Sequence, residues 1–228
     1  ELCNNDLKCI DESFLFFLNL KKLEITKNDI NIVDGQNFPN SLEELKLSDN
    51  NIYKVINLKE KLEIIDLSSN KIQNNCLEIP SSVTELDVSN NNTLFILPKF
   101  KSNENLSKLD ICNTLIKSID DIPDSVNILK ACDCNITRIS KFPSALMEFT
   151  AFNSQIYKID CDFPKDLFNI DVYKNYLKEI PSLQENIITI DISNNILEKI
   201  PNFPDSLTKI DLTEKENKRN EKVKSFNE

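Results

Sequence analysis

The sequence predicts a solenoid of about ten stacked repeats, with a parallel β-sheet on its concave face. Its convex face should be extended or polyproline-like, with little helix. Three observations predict this. An eleven-position apolar pattern recurs ten times, the copies start 20 to 23 residues apart, and a proline stands three residues before six of the starts. A fixed period of this length marks a repeat array in which each unit buries its apolar side only against its neighbours.

The pattern is L-x-x-L-x-L-x-x-N-x-L, numbered here as positions 1 to 11. Copies begin at Leu20 (LKKLEITKNDI), Leu42 (LEELKLSDNNI), Leu62 (LEIIDLSSNKI), Val83, Leu106, Val126 (VNILKACDCNI), Leu146, Leu167, Ile187 and Leu207. They are called repeats 1 to 10 below. This is the leucine-rich repeat template. The L-x-L core of each copy, positions 4 to 6, reads as a short strand whose side chains alternate between core and concave face. At position 9, Asn28, Asn50, Asn70, Asn91, Asn175 and Asn195 are expected to turn inward and bond the backbone of neighbouring turns. Cys134 takes that slot in repeat 6. Pro39, Pro80, Pro123, Pro143, Pro164 and Pro204 disfavour helix before them. A 20-residue period also leaves little convex room, so modest curvature is expected.

Three segments follow. Residues 1–19 are read as an N-terminal cap, with SFLFFL covering the open end of the core; residues 20–212 form the solenoid, and 213–228 a charged, solvated tail. The chain begins at Glu1 rather than Met, which suggests a processed or excised N-terminus.

Composition narrows the function. The net charge of −10 argues against nucleic acid or an anionic membrane as partner, because each requires a basic face. No apolar run is long enough to span a bilayer, so membrane insertion is not expected. Without histidine there is no Ser-His-Asp or Cys-His nucleophile pair and no His-containing zinc site. A single glycine leaves no phosphate-binding loop. Paired Asp residues on adjacent strands could imitate a glycosidase dyad, but a repeated ladder explains them without catalysis. Carboxylates on a flat sheet do not converge as in a calcium loop. No metal, cofactor or enzymatic activity is therefore expected.

What remains is a surface. Position 5 carries Asp66, Asp87, Asp110, Asp171, Asp191 and Asp211, an acidic stripe interrupted by Lys46 and Lys130. It is either a solvated face or a means of steering a basic partner. Position 7 begins with Thr26, Ser48, Ser68 and Ser89. It changes to Cys112, Cys132, Phe152 and Tyr173, then returns to Ser193 and Thr213. With Leu115, Ile128 and Tyr176, these residues form a candidate partner-binding patch, since grouped exposed aromatics anchor interfaces. Cys132 and Cys112 fall one strand apart, about 4.8 Å by strand spacing and within disulfide reach; free thiols are the expectation there.

The unit, roughly [F/I]-P-x-S-L-x-x-L-D-[V/I/L]-S-x-N-x-[I/L], resembles the short bacterial class of leucine-rich repeats found in secreted effectors of the YopM and IpaH kinds. IPSSVTELDVSNN matches it well. The Pro-Ser-Leu half is also similar to repeats of slime-mould and large-DNA-virus proteins. The resemblance covers about residues 20–212 and implies the fold. It departs in two ways: residues 1–19 are too short for the helical hairpin that precedes the effector repeats, and nothing can host the catalytic ubiquitin-ligase domain of the IpaH kind. Extracellular members often carry a cysteine-bonded cap, and Cys3 and Cys9 are the candidates here for such a disulfide.

The functional expectation is a non-catalytic effector or adaptor that scaffolds proteins through its concave face. A secreted or cell-surface recognition domain and the substrate-recognition part of a larger ubiquitin ligase are the alternatives. The cytoplasm, or delivery into a host cell, is the favoured location. The sequons at Asn91 and Asn135 fall in the ladder turn and weakly oppose a eukaryotic secretory route. Nothing in the sequence indicates an oligomeric state.

Overall fold

The computed structural model describes residues 1–100, 102 and 104–213. Positions 3 to 5 of each repeat form a three-residue strand. The strands are Lys22–Glu24, Glu44–Lys46, Ile64–Asp66, Glu85–Asp87, Lys108–Asp110, Ile128–Lys130, Glu148–Thr150, Asn169–Asp171, Thr189–Asp191 and Lys209–Asp211. Among the described residues they make one parallel sheet in chain order. Its register is unbroken, with each position-4 residue opposite the next: Leu23 faces Leu45, Leu129 faces Phe149 and Ile170 faces Ile190. The position-4 residues of repeats 1 to 9 are buried in one continuous core, together with those at positions 1, 6 and 11 of most repeats. A one-residue slip would turn that whole set to water, so register and core specify each other.

The turn that follows each strand is formed the same way throughout. Position 8 has positive φ in every described repeat: Lys27, Asp49, Ser69, Asn90, Asn113, Asp133, Asn153, Lys174 and Asn194 lie between 50° and 56°. Asn and Asp tolerate the left-handed region better than other non-glycine residues, which suits a chain with one glycine. Position 9 then closes the turn. The Asn70 Nδ2 donates to the carbonyls of Leu47 (3.0 Å), Leu67 (3.1 Å) and Ser68 (3.0 Å), and its Oδ1 accepts the Ile52 N–H at 2.9 Å. Asn50, Asn91, Asn175 and Asn195 repeat this set, each tying its own turn to the preceding one.

A second ladder explains the Pro-x-Ser-Leu half. The carbonyls of Pro39, Pro80, Pro123, Pro143, Pro164 and Pro204 each accept the N–H three residues on, making a tight turn into position 1. The serine before that position donates to the first carbonyl of the previous repeat: Ser41 to Leu20 (2.8 Å), Ser82 to Leu62 (2.6 Å), Ser125 to Leu106 (2.8 Å) and Ser206 to Ile187 (2.7 Å). Short parallel strand pairs complete the convex side, Ile32–Asp34 with Lys54–Ile56, Glu78–Ile79 with Lys99–Phe100, and Arg138–Ile139 with Lys158–Ile159. The only helical turns among the described residues are the 3-10 segments Glu12–Phe16 and Gly35–Asn37. Gly35 lies where a Cβ would meet the Asn57 carbonyl oxygen at 2.2 Å.

The N-terminal segment is part repeat, part exposed loop. Leu2 and Asn4 donate to the Glu24 and Thr26 carbonyls, continuing the sheet's bonding outward. Asn4 has φ of 57°, and the Asn5 amide bonds the carbonyls of Leu2 and Cys3. Residues 1–7, ELCNNDL, thus reproduce positions 5 to 11 and mirror EITKNDI of repeat 1. The expectation that SFLFFL covers the core's open end holds only for Phe14, which packs against it. Leu15, Phe16, Phe17 and Leu18 are exposed, Phe16 at 83%, because the preceding half-repeat already occupies that end. The proposed tail, beyond Thr213, lies outside the described residues.

Asn70→Ala strands the Ile52 N–H and three carbonyls in a buried turn. At about 1–3 kcal/mol per unsatisfied group, partly relaxed, a loss of about 2–4 kcal/mol is expected. Urea unfolding followed by circular dichroism will register it as a lower midpoint, whereas Ser81→Ala at an exposed turn should shift it little.

Candidate concave binding face

Positions 3 and 5 of each strand point outward across the concave sheet, with position 4 buried between them. In repeats 2 to 6 they border a shallow depression of about 310 Å³. Ile64 and Ile128 line it together with Asp66, Asp87, Asp110, Lys108 and Lys130. Much of the acidity there is internally matched. Glu44 meets Lys22 at 2.6 Å and Lys46 at 2.8 Å, Glu85 meets Lys108 at 2.7 Å, and Asp110 meets Lys130 at 3.7 Å. The hydrogen bonds from Lys22 and Lys46 hold the Glu44 carboxyl below its ordinary range. Asp66 and Asp87 have no ion pair among the described residues.

The recurrence of aspartate on a strand, where it is intrinsically disfavoured, has a local cause. Each Asp at position 5 accepts the N–H two residues on: Asp66 from Ser68 (2.9 Å), Asp87 from Ser89 (2.8 Å), Asp110 from Cys112 (3.0 Å), Asp171 from Tyr173 (3.1 Å), Asp191 from Ser193 (3.0 Å) and Asp211 from Thr213 (2.9 Å). The Ser68, Ser193 and Thr213 hydroxyls donate to the same carboxylates. This Asx closure caps the strand just before the left-handed turn. The acidic stripe is therefore structural at every one of its positions, and D-x-S is the motif that could have revealed it in the sequence.

Position 7 is informative against that background. Serine there completes the Asx closure, and repeats 5 to 8 dispense with it. Lys130 cannot accept, so the Cys132 N–H turns instead to Cys112 Sγ at 3.1 Å. Phe152 and Tyr173 are half-buried, with their rings released from the capping role. Tyr176 (58% exposed) and Leu115 (41% exposed) stand at position 10, past the left-handed turn, on the rim of the sheet. They are three repeats apart, about 14 Å. Ile128 is at position 3, about 13 Å along the strand from position 7, and lines the central depression instead. The expected single patch thus divides into a position-7 and rim cluster and the floor of the depression. Cys132 requires a correction: it is only 3% exposed, its thiol directed at the Thr150 carbonyl (3.7 Å), so it offers a partner almost no surface.

Repeats 5 to 7 interrupt the asparagine ladder, with Thr114, Cys134 and Ser154 at position 9. Cys134 is buried and its thiol donates to the Ile111 carbonyl at 3.1 Å. Ala131 and Ala151 replace larger residues at position 6. In the same core Phe149, Phe142 and Phe163 form an aromatic cluster, with ring centroids 5.1 and 5.7 Å apart. All seven cysteines are free thiols. Cys3 bonds the Glu24 carbonyl and Cys9 is exposed, so the candidate Cys3–Cys9 bridge is not formed. Among the described residues no group of three or more acidic or cysteine side chains is placed to hold a metal ion. No described helix is long and apolar enough to cross a membrane. The Asn91 side chain is fully buried with its amide committed to three carbonyls, which denies that sequon to a glycan.

Burial raises the Asp87 pKa against the Ser89 hydrogen bonds, and Asp110 and Asp66 add to the rise. A carboxyl whose folded pKa exceeds its unfolded value disfavours the fold once ionised, and that cost fades as pH falls through the folded pKa. Asp87→Asn, which retains an acceptor for the Ser89 N–H, should melt above the wild type at pH 7. The gap should narrow toward pH 4; a gap independent of pH would contradict the assignment.

No protein-family model and no curated protein matches the sequence. Solved structures do resemble the fold. YopM from Yersinia enterocolitica WA-314 superimposes with a TM-score of 0.60 at 23% identity, over 86% of this chain and 51% of that one. A second structure, described as YopM, a leucine-rich effector protein from Yersinia pestis, gives a TM-score of 0.64 at 19% identity, over 85% of this chain and 65% of that one. The chain thus spans from about half to just under two thirds of the YopM chains it matches. Its fold is the leucine-rich repeat solenoid of the YopM type, a parallel concave sheet backed by extended convex segments.

Proposed function

We propose that the protein is a non-catalytic interaction module, an effector or adaptor, that binds a protein partner on its concave face through repeats 5 to 8. The observation that carries this reading is the abandonment of serine at position 7 in four successive repeats. Where Asp171 keeps the acceptor, Tyr173 gives up the serine's structural use, and where Thr150 has removed it Phe152 fills the freed position, together placing aromatic surface near exposed Tyr176. Rigid aromatic side chains contribute large contact area at low entropic cost, which suits them as anchors. The carboxylates flanking them, Asp171 and Asp191, favour a partner of basic character. Resemblance to YopM, a leucine-rich effector protein, supports an interaction role by fold only.

The triple variant Phe152→Ala/Tyr173→Ala/Tyr176→Ala should lower recovery of the bound partner at least tenfold in a quantitative pull-down, given about 2 kcal/mol or more for an interface anchor. Phe16→Ser, on the exposed N-terminal loop, should leave recovery unchanged. Equal recovery by the triple variant and wild type, with matching circular dichroism, would overturn the proposal.

A further inference from the structure

Repeats 5 and 6 bring two cysteines level on neighbouring coils. The strand register pairs Lys108 with Ile128 and Asp110 with Lys130. Backbone bonds from Ile111 to the Lys130 carbonyl (2.9 Å) and from Asn113 to the Cys132 carbonyl (2.7 Å) extend that register beyond the strands. Cys132 therefore stands opposite Cys112. Level residues on adjacent strands have Cα atoms about 4.8 Å apart, within the roughly 4.4–6.8 Å a disulfide spans. The Cys112 sulfur already lies over the next coil, accepting the Cys132 N–H at 3.1 Å. The Cys132 thiol donates one long bond to the Thr150 carbonyl at 3.7 Å, and its side chain also meets that of Cys112.

We propose that Cys112 and Cys132 form a reversible cross-strand disulfide when the protein meets a low-molecular-weight disulfide such as oxidised glutathione. Exposure sets the order of events. Half-buried Cys112 loses its proton to solvent and attacks the glutathione disulfide, forming a Cys112–glutathione mixed disulfide and releasing one glutathione thiolate. Cys132, only 3% exposed, then gives up its proton and attacks the Cys112 sulfur. The mixed disulfide breaks and the second glutathione leaves. Each departing thiolate takes up a proton, so two protein thiols are oxidised as one glutathione disulfide is reduced to two glutathiones. Cys134 takes no part, because its thiol is buried on the core side against the Ile111 carbonyl. The bond ties repeat 5 to repeat 6 where Thr114 and Cys134 have replaced the ladder asparagines.

The contact with Cys132, burial and the nearby Asp110 carboxylate raise the Cys112 thiol pKa, so the test is an equilibrium titration. The folded protein is equilibrated with mixtures of reduced and oxidised glutathione, quenched with N-ethylmaleimide and digested with trypsin. As the oxidised fraction rises, the peptides Leu109–Lys117 and Ala131–Arg138 should become disulfide-linked, with fragmentation placing the link at Cys132. Added dithiothreitol should release them. Cys132→Ser should lose the link and leave Cys112 carrying glutathione. A wild type in which both cysteines stay labelled or singly glutathionylated at every ratio would overturn the proposal, as would a link to Cys134.

Discussion

The asparagine-closed turn at positions 8 and 9 is the constraint on which the rest of this structure depends. Every 20 to 23 residues the chain must leave the sheet, turn sharply and carry its backbone through the interior. Backbone N–H and C=O groups buried there need hydrogen-bond partners. A left-handed residue makes the turn, and one amide then bonds carbonyls of its own coil and the coil before. The same amide accepts an N–H of the preceding coil, so the polar ladder and apolar stacking propagate together. Neither is stable in an isolated repeat.

Once those turns are closed, the outward positions divide into those with structural duties and those without. Aspartate at position 5 and serine at position 7 form one capping device, so their recurrence reports on the fold. An acidic concave face would otherwise read as a docking surface by charge alone. The departures carry more information than the pattern itself. Where Lys130 and Thr150 replace the acceptor, position 7 is freed from its partner, and Cys132 and Phe152 occupy it.

Repeats 5 to 8 show how much irregularity the array tolerates. Smaller residues enter the ladder in repeats 5 to 7 and position 6 in repeats 6 and 7, and Phe149 and Phe163 pack against Phe142 in the same core. The coils that differ inside are among those whose concave surface differs.

The sequence by itself determined the repeat period, the number of strands in the sheet, their parallel order and the inward asparagines. Each of these follows from a spacing that appears ten times and has one geometric solution. It also placed the change at position 7. The tertiary structure alone decided which outward side chains are free. Whether Asp66 or Asp87 awaits a partner or caps a turn depends on an N–H two residues on, whose direction is set by a left-handed φ. Burial of Cys132 and separation of Ile128 from Tyr173 depend likewise on distances across and along the sheet. The half-repeat in residues 1–7 was legible as a copy of EITKNDI, though too short to register as a period. Its role appears only when its backbone bonds the edge of repeat 1 and leaves the following phenylalanines, Phe16 and Phe17, in water.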